Sequence, residues 1–111
     1  MNITQSVGVI VGRFQVPELH KGHRHLIEEV AKRFDVVLIV LGYSGAFGND
    51  KDPLSLEDRE RMIRAAYPAV WVCQAEDQPS NARWSEALNS IVTQVFPNAT
   101  VTMCGSRDSF L

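Results

Sequence analysis

The sequence lacks the features that direct a protein to membranes or to nucleic acid. Its first residues have neither the basic region nor the apolar stretch of a signal peptide, and no apolar run approaches the roughly 20 residues that cross a bilayer. The formal net charge of -2 gives no overall attraction for the phosphate backbone of DNA or RNA. We therefore expect a cytoplasmic protein with neither a membrane nor a nucleic acid as its partner.

Cysteine is scarce, and the usual glycine motifs of nucleotide-binding proteins are missing. Cys73 and Cys104 each lie within an apolar run without the paired spacing of a zinc or redox site, so we expect buried, reduced thiols. No histidine close in sequence would activate either thiol, or Ser44, as a nucleophile. Gly8 and Gly12 do not form the Gly-x-Gly-x-x-Gly turn of a dinucleotide-dependent oxidoreductase, and a Walker-type phosphate loop is absent. These enzyme classes are disfavoured.

What the sequence does contain is a regular alternation of strand and helix patterns. With 111 residues, 45% hydrophobic and 22% charged, the chain fits one domain over residues 1–111. Continuous apolar runs predict strands covered on both faces, and apolar residues at helical spacing predict helices between them. Strands are expected at 7–11, 36–41, 69–73 and 99–105, and helices at 21–34, from a Ser55 cap to before Pro68, and from a Ser80 cap to before Pro97.

This alternation predicts an open, doubly wound parallel α/β sheet with strand order 3-2-1-4. Its ligand crevice lies beyond the carboxyl ends of the first and fourth strands, where the order reverses. Gly12 and Arg13 follow the first strand, and Gly105 and Arg107 end and follow the fourth. The first helix would present its free backbone N–H groups there. We therefore expect an anion site, with the Gly-, Asn- and Asp-rich stretch 43–53 as a ligand loop.

Two histidines stand at the start of the first helix. His20 and His23 are three residues apart, so their rings share one side of the first turn, and Gly22 leaves room for a phosphate near the backbone. Imidazolium donors and the helix dipole both favour phosphate. One alternative is that the two histidines stand at the helix end without any function. Another is zinc bound by His20, His23 and His25, which ranks low because helical positions two and five apart converge poorly on one ion.

Gly12-Arg13-Phe14-Gln15 followed by His20-Lys21-Gly22-His23 resembles the opening signature of the Rossmann-like nucleotidyltransferase superfamily. The likeness is strongest to the nicotinamide mononucleotide adenylyltransferases of the archaeal and bifunctional bacterial type. Later parts of that subfamily are matched at Gly42, Asp52-Pro53, Arg59, Met62-Ile63, Asp77 and Asn81-Ala82-Arg83-Trp84.

The resemblance implies an adenylyltransferase that joins the AMP of ATP to the phosphate of a mononucleotide, nicotinamide mononucleotide in the first instance, giving NAD and pyrophosphate. Mg²⁺ would be bound through the nucleotide phosphates, with no metal site built by the protein. The partners would be ATP and a small phosphorylated acceptor, and a homo-oligomer stays open.

The resemblance also implies site residues. The catalytic groups that hold the ATP phosphates would be His20, His23, Arg13 and Arg59. Together with the predicted topology, it assigns further ATP contacts to Gly12, Phe14, Gly22, Gly105 and Arg107, and acceptor contacts to Gly42, Asn81 and Trp84.

Some of these roles have alternatives. Trp84 would stack on the pyridine ring of the acceptor, yet it also shares an apolar helix face, and packing in the core is an equal alternative. Arg13, Arg59 and Arg107 would simply face water in the other interpretation, where exposed ion pairs contribute only about 0–1 kcal/mol.

Two departures from the family pattern stand out. The loop at 15–19 is longer than in the family, so Arg13 would aim differently. The chain also stops at 108–111, without the following strand, the following helix and the Ile-Ser-x-Thr-x-x-Arg type motif that closes over the ATP phosphates. We therefore expect a C-terminally short member: a truncated product, a fragment, or a chain completed by another subunit. Nucleotidyl transfer to a different phosphorylated acceptor and nucleotide binding without catalysis are the alternative functions.

Overall fold

The computed structural model describes residues 5–14, 19, 21–43, 55–76 and 80–105. Strands and helices alternate along them in the order β1 (Ser6–Gly12), α1 (Lys21–Arg33), β2 (Val36–Tyr43), α2 (Leu56–Ala66), β3 (Trp71–Glu76), α3 (Asn81–Val95) and β4 (Thr100–Gly105). The strands form one parallel sheet with the order β3-β2-β1-β4. The predicted doubly wound sheet and its strand order are confirmed.

The two faces of the sheet bury separate apolar clusters, because successive side chains of a strand point to opposite sides. On one face, Ile10 of β1 packs in a cluster with Ile27 of α1 and Ile63 of α2. On the other face, Val9 of β1 lies in a cluster with Leu88 of α3. The continuous apolar run of β1 is therefore explained by helices on both sides, as the sequence predicted.

Helix α1 approaches β1 closely at Gly8. A β-carbon built at Gly8 would lie 2.4 Å from Cγ1 of Val30 and 2.8 Å from Cδ2 of Phe34. Only a residue without a side chain leaves room for this contact. The glycine thus lets α1 lie directly against the central strand.

Both predicted helix caps are present. The Ser55 hydroxyl accepts a hydrogen bond from the backbone N–H of Asp58 at 3.1 Å, and the Ser80 hydroxyl accepts one from Arg83 at 3.2 Å. Each bond satisfies one of the N–H groups that a helix start leaves without a partner. These local signals set the starts of α2 and α3 correctly.

The edge strands differ from the prediction. Strand β3 begins at Trp71, two residues later than expected, because the Val70 N–H donates to the carbonyl of Tyr67 at 3.2 Å and keeps this stretch in a turn. Cys73 and Cys104 are half-buried, so the expectation of buried thiols is wrong; among the described strands, theirs are the first and the last in the sheet. Within the described ranges, each helix is too short or too polar to cross a membrane.

Candidate active site

The candidate site lies at the carboxyl ends of β1 and β4, which are neighbours in the sheet. The register between them changes there: Val9 pairs with Met103, but Ile10 pairs with Gly105, so Cys104 is an extra residue on β4. An irregularity of this kind bends a strand and redirects its end, and it is frequent beside functional sites. No pattern in the sequence predicts this irregularity.

His23 lies in the first turn of α1, at this end of the sheet. Its side chain is buried, with 6% of the residue exposed. Its ring centroid is 4.9 Å from that of Phe14, and the two ring planes are inclined by 40°. The first turn of α1 has no acidic residue, whereas that of α2 carries Glu57 and Asp58. Within the described first turn, no carboxylate of the chain therefore lies at the positive end of the α1 dipole, which favours an anion from outside.

Phe14 has an unusual backbone conformation. Its φ is 53°, in the left-handed region, and it is the non-glycine residue with positive φ among those the structure describes. Such a conformation costs on the order of 1–3 kcal/mol and persists only where its surroundings hold it. The residue is also buried, with 4% of its surface exposed. The sequence signature includes Phe14 but does not predict this backbone conformation, because phenylalanine has no preference for the left-handed region.

Arg59 is buried, with only 1% exposed. Its Nη1 donates to the carbonyl oxygen of Arg13 at 2.9 Å and to that of Gly42 at 2.8 Å, and its Nε donates to the carbonyl of Ser55 at 3.3 Å. The alternative that this arginine faces water is wrong. The signal in the sequence was its spacing: Arg59 stands four residues before the buried Ile63 and thus on the same side of α2.

The other residues predicted to contact ATP are only partly within the described chain. Gly12 and Gly105 end the two neighbouring strands, Arg13 is half-buried beside Phe14, and Gly22 is exposed in the first turn of α1. Outside the described residues lie His20 and Arg107.

The residues predicted to contact the acceptor lie along two different elements. Gly42 is buried near the end of β2, and its carbonyl accepts from Arg59. Asn81 is the first residue of α3. Trp84 is half-buried and packs against the apolar cluster on the α3 face, as the core interpretation expected. Most of the predicted ligand loop, with Asp52-Pro53, and also Asp77 lie outside the described residues.

The cysteines and the remaining histidine add no second reactive centre in this part of the chain. Burial raises the pKa of the Cys73 thiol to about 11, and it also raises the pKa of Cys104. This direction is opposite to the activation that a nucleophilic thiolate requires. His25 is exposed whereas His23 is buried, so the two rings face different surroundings. Among the described residues, no group of three or more His, Cys, Asp or Glu could hold a metal ion.

Comparison with known proteins identifies related chains. The nicotinamide-nucleotide adenylyltransferase of Halorubrum lacusprofundi is 28% identical over 88 residues, which cover 76% of this chain and 49% of that protein. The protein of the same name from Thermococcus onnurineus is 34% identical over 91 residues, covering 77% and 48%. The chain therefore spans about half the length of the curated relatives it matches.

A solved structure agrees with these sequence similarities. A bifunctional NMN adenylyltransferase/ADP ribose pyrophosphatase from Francisella tularensis, complexed with AMP and a manganese ion, matches with a TM-score of 0.73 and 26% identity, over 90% of this chain and 32% of that one. The resemblance inferred from the histidine signature is confirmed. The cytidylyltransferase-like family model matches residues 9–104, so the chain belongs to that family.

Proposed function

We propose that this chain carries the nucleotide-binding part of a nicotinamide-nucleotide adenylyltransferase. The observation that supports this most directly is the position of His23, buried in the first turn of α1 at the end of the sheet where doubly wound folds bind ligands. The names of the relatives, and the AMP in the Francisella tularensis neighbour, support the same reaction.

The proposed reaction is an in-line transfer between phosphates. An oxygen of the mononucleotide phosphate attacks the α-phosphorus of ATP and forms a new phosphorus–oxygen bond. The bond from the α-phosphorus to the oxygen shared with the β-phosphorus breaks, and pyrophosphate leaves with that electron pair. Because the attacking phosphate is already ionised, the protein needs no general base. Its tasks are to align two phosphates and to stabilise charge on the leaving group.

The site residues divide these tasks. His23, and His20 by its place in the motif, would donate hydrogen bonds to the phosphates of ATP, with Arg13 adding a charge-assisted bond. The N–H groups of the α1 start, made accessible by Gly22, would bind the same anion. Gly12, Phe14, Gly105 and Arg107 would complete the ATP side, and the acceptor side would be formed by Gly42, Asn81 and Trp84.

A divalent ion is expected with the nucleotide. Mg²⁺ is usually bound by substrate phosphates together with one or two protein carboxylates rather than by a full set of protein ligands. The manganese ion of the neighbouring structure supports such an ion, and we propose Mg²⁺ bound through the phosphates. When bound, it would neutralise charge on the leaving pyrophosphate.

The experiment is to measure pyrophosphate release by the chain from ATP and from CTP, with Mg²⁺, against a panel that includes nicotinamide and nicotinate mononucleotides. We expect release with ATP and nicotinamide mononucleotide. His23→Ala should lower kcat by roughly 100-fold or more, the usual loss when a donor to developing charge is removed. His25→Ala is the matched control, because His25 is exposed two residues further along the same helix.

Two results would contradict the proposal. One is the absence of pyrophosphate release with every donor and acceptor, although ATP binds; this would favour a nucleotide-binding module without catalysis. The other is equal turnover in His23→Ala and the parent. Because His23 is buried, His23→Asn serves as a second variant, with circular dichroism to check that each protein is folded.

A second candidate is nucleotidyl transfer to a different phosphorylated acceptor. It is favoured by the packing of Trp84 against the apolar cluster on the α3 face. This packing gives the Trp84 side chain a structural role that does not require the pyridine ring of a nicotinamide acceptor. Under this alternative, another member of the acceptor panel releases pyrophosphate faster than nicotinamide mononucleotide, and Trp84→Ala leaves the affinity for nicotinamide mononucleotide unchanged.

A further inference from the structure

We infer that Arg59 is a positioning residue, which fixes the peptide between Arg13 and Phe14 and, through the ring of Phe14, the placement of His23. The catalytic consequence rests on the proposed function, but the chain of contacts does not. Three contacts or couplings support the inference. The guanidinium of Arg59 binds the carbonyl of Arg13, the peptide of that carbonyl sets the backbone of Phe14, and the ring of Phe14 packs against the ring of His23.

The first link is the pair of hydrogen bonds from Nη1 of Arg59. They hold the carbonyl oxygens of Arg13 and Gly42 at 2.9 Å and 2.8 Å, which ties the segment after β1 to the end of β2. The bond from Nε to the carbonyl of Ser55 fixes the guanidinium relative to the start of its own helix. A planar guanidinium presents its donors in a rigid fork, so these bonds set the direction of the carbonyls as well as their distance.

The second link is the peptide bond between Arg13 and Phe14. The orientation of its carbonyl is coupled to φ of Phe14, which is 53°. A residue with a β-carbon leaves the left-handed region unless neighbouring contacts keep it there. The hydrogen bond from the buried Arg59 to the Arg13 carbonyl is a contact of this kind.

The third link is between rings. Phe14 and His23 are both buried, and their ring centroids are 4.9 Å apart. If the Arg13 carbonyl turned away, φ of Phe14 would relax and its ring would leave this place. His23 would then lose the surface that limits its rotation. Placement matters for catalysis, because misplacement by about 1 Å can cost on the order of 100-fold in rate.

The competing account is that Arg59 serves by touching phosphate itself. A double-mutant cycle separates the two accounts. Arg59→Lys keeps the positive charge but loses the planar fork. Phe14→Gly removes the ring and tolerates positive φ. We expect each single variant to lower kcat by roughly 10- to 100-fold. Because Arg59 touches no phosphate in this account, Arg59→Lys should change KM for ATP less than about threefold, whereas Phe14→Gly also removes an expected ATP contact.

The decisive variant combines Arg59→Lys with Phe14→Gly. If Arg59 acts through Phe14, the double variant is no slower than the slower single variant, because both remove the same placement. Losses in kcat that multiply, or a KM for ATP that Arg59→Lys raises more than about threefold, overturn the inference. Arg61→Lys is the matched control on the same helix; it is exposed and pairs with Asp58 at 3.4 Å, and it should behave as the parent.

A second readout needs neither ATP nor activity. The aromatic ring of Phe14 should shift the NMR resonances of the His23 ring in the free protein. We expect Arg59→Lys and Phe14→Gly to move these resonances in the same direction, with those of His25 unchanged. If Phe14→Gly moves them and Arg59→Lys does not, the inference is wrong. If both move them but the parent releases no pyrophosphate, the proposed function fails and the positioning role stands.

Folding of the variants is checked in the same experiment. Amide hydrogen exchange in β1 and β2 reports whether the sheet is intact. Arg59→Gln is the second variant if Arg59→Lys does not fold, because its amide nitrogen stands about where Nε of the arginine lies and falls short of the carbonyls of Arg13 and Gly42. An intact Arg59→Gln sheet with the His23 resonances of the parent would also overturn the inference.

Discussion

Polar side chains tie strands β1 and β2 together at both ends, that of Arg59 at the carboxyl end and those of Asp35 and Ser6 at the amino end, and the two ties differ in burial. At the carboxyl end, the buried Arg59 donates to the carbonyls of Arg13 and Gly42. At the amino end, Oδ2 of the exposed Asp35 accepts from the backbone N–H and the hydroxyl of Ser6, at 3.0 Å and 3.1 Å. The Asp35 N–H donates in turn to the Ser6 hydroxyl at 3.0 Å.

The difference shows where the fold depends on a single side chain. When the hydrogen bonds of the exposed Asp35 break, water can bind the same polar groups, so their loss at the amino end is partly compensated. The carbonyl of Gly42 is buried, and leaving it without a donor costs its full desolvation energy. The end of the sheet that carries the candidate site is thus also the end where polar contacts are least replaceable.

The largest expected effect is that of Arg59→Met on stability. Removing a charged donor from buried and half-buried carbonyls should cost on the order of 3 kcal/mol of unfolding free energy. Urea denaturation followed by circular dichroism measures it. Arg61→Met is the control, because Arg61 is exposed on the same helix, and its cost should stay within about 0.5 kcal/mol. Equal losses in the two variants would remove the contrast between buried and exposed ties.

A smaller effect is expected at Gly8, between the two ends of β1. In Gly8→Ala, the new β-carbon would clash with Val30 and Phe34, at a cost of roughly 1–3 kcal/mol. The cause can be tested in a Val30→Ala background, where the nearest atom, 2.4 Å away, is gone. Gly8→Ala should cost less there than in the parent. The same cost in both backgrounds would mean that the close approach of α1 does not decide the role of this glycine.

Sequence reasoning identified those parts of the fold that depend on short-range patterns. The unbroken apolar run around Val9 predicted a central strand, and Ser55 and Ser80 marked two helix starts because capping involves residues only three apart. The strand order followed from the alternation of elements and the preference for right-handed connections. In the edge strand β3, where a turn around Val70 competes with the strand, the predicted start was wrong.

The site was less predictable, because its geometry depends on contacts between distant segments. The motif identified His23 as a candidate, and the structure places its ring in a buried position against Phe14. The spacing to Ile63 places Arg59 on the inner side of α2, but its partners are carbonyls 46 and 17 residues away, which no local pattern encodes. One of these carbonyls, that of Arg13, belongs to the peptide that precedes Phe14, whose backbone is in the left-handed region. The roles of His20 and Arg107 stay predictions from the motif and from the topology.

The smallest effect, and the one that separates the two ties most clearly, is the pH dependence at Asp35. The backbone N–H of Ser6 first, and then its hydroxyl, hold the pKa of this carboxyl below its usual value. A carboxyl with a lowered pKa in the folded state stabilises the fold above its unfolded pKa of about 3.9, and that contribution is lost as the pH falls through the folded pKa.

Asp35→Asn should therefore be less stable than the parent near neutral pH, and the difference in urea midpoint should vanish by about pH 2. Ser6→Ala should reduce the difference without abolishing it, because the backbone donor remains. The loss in Arg59→Met should keep the same size over this range, because a guanidinium is not deprotonated in proteins. A difference at Asp35 that did not change with pH would mean that its charge is irrelevant. The amino-end tie would then be a neutral hydrogen bond, and burial alone would distinguish the two ends.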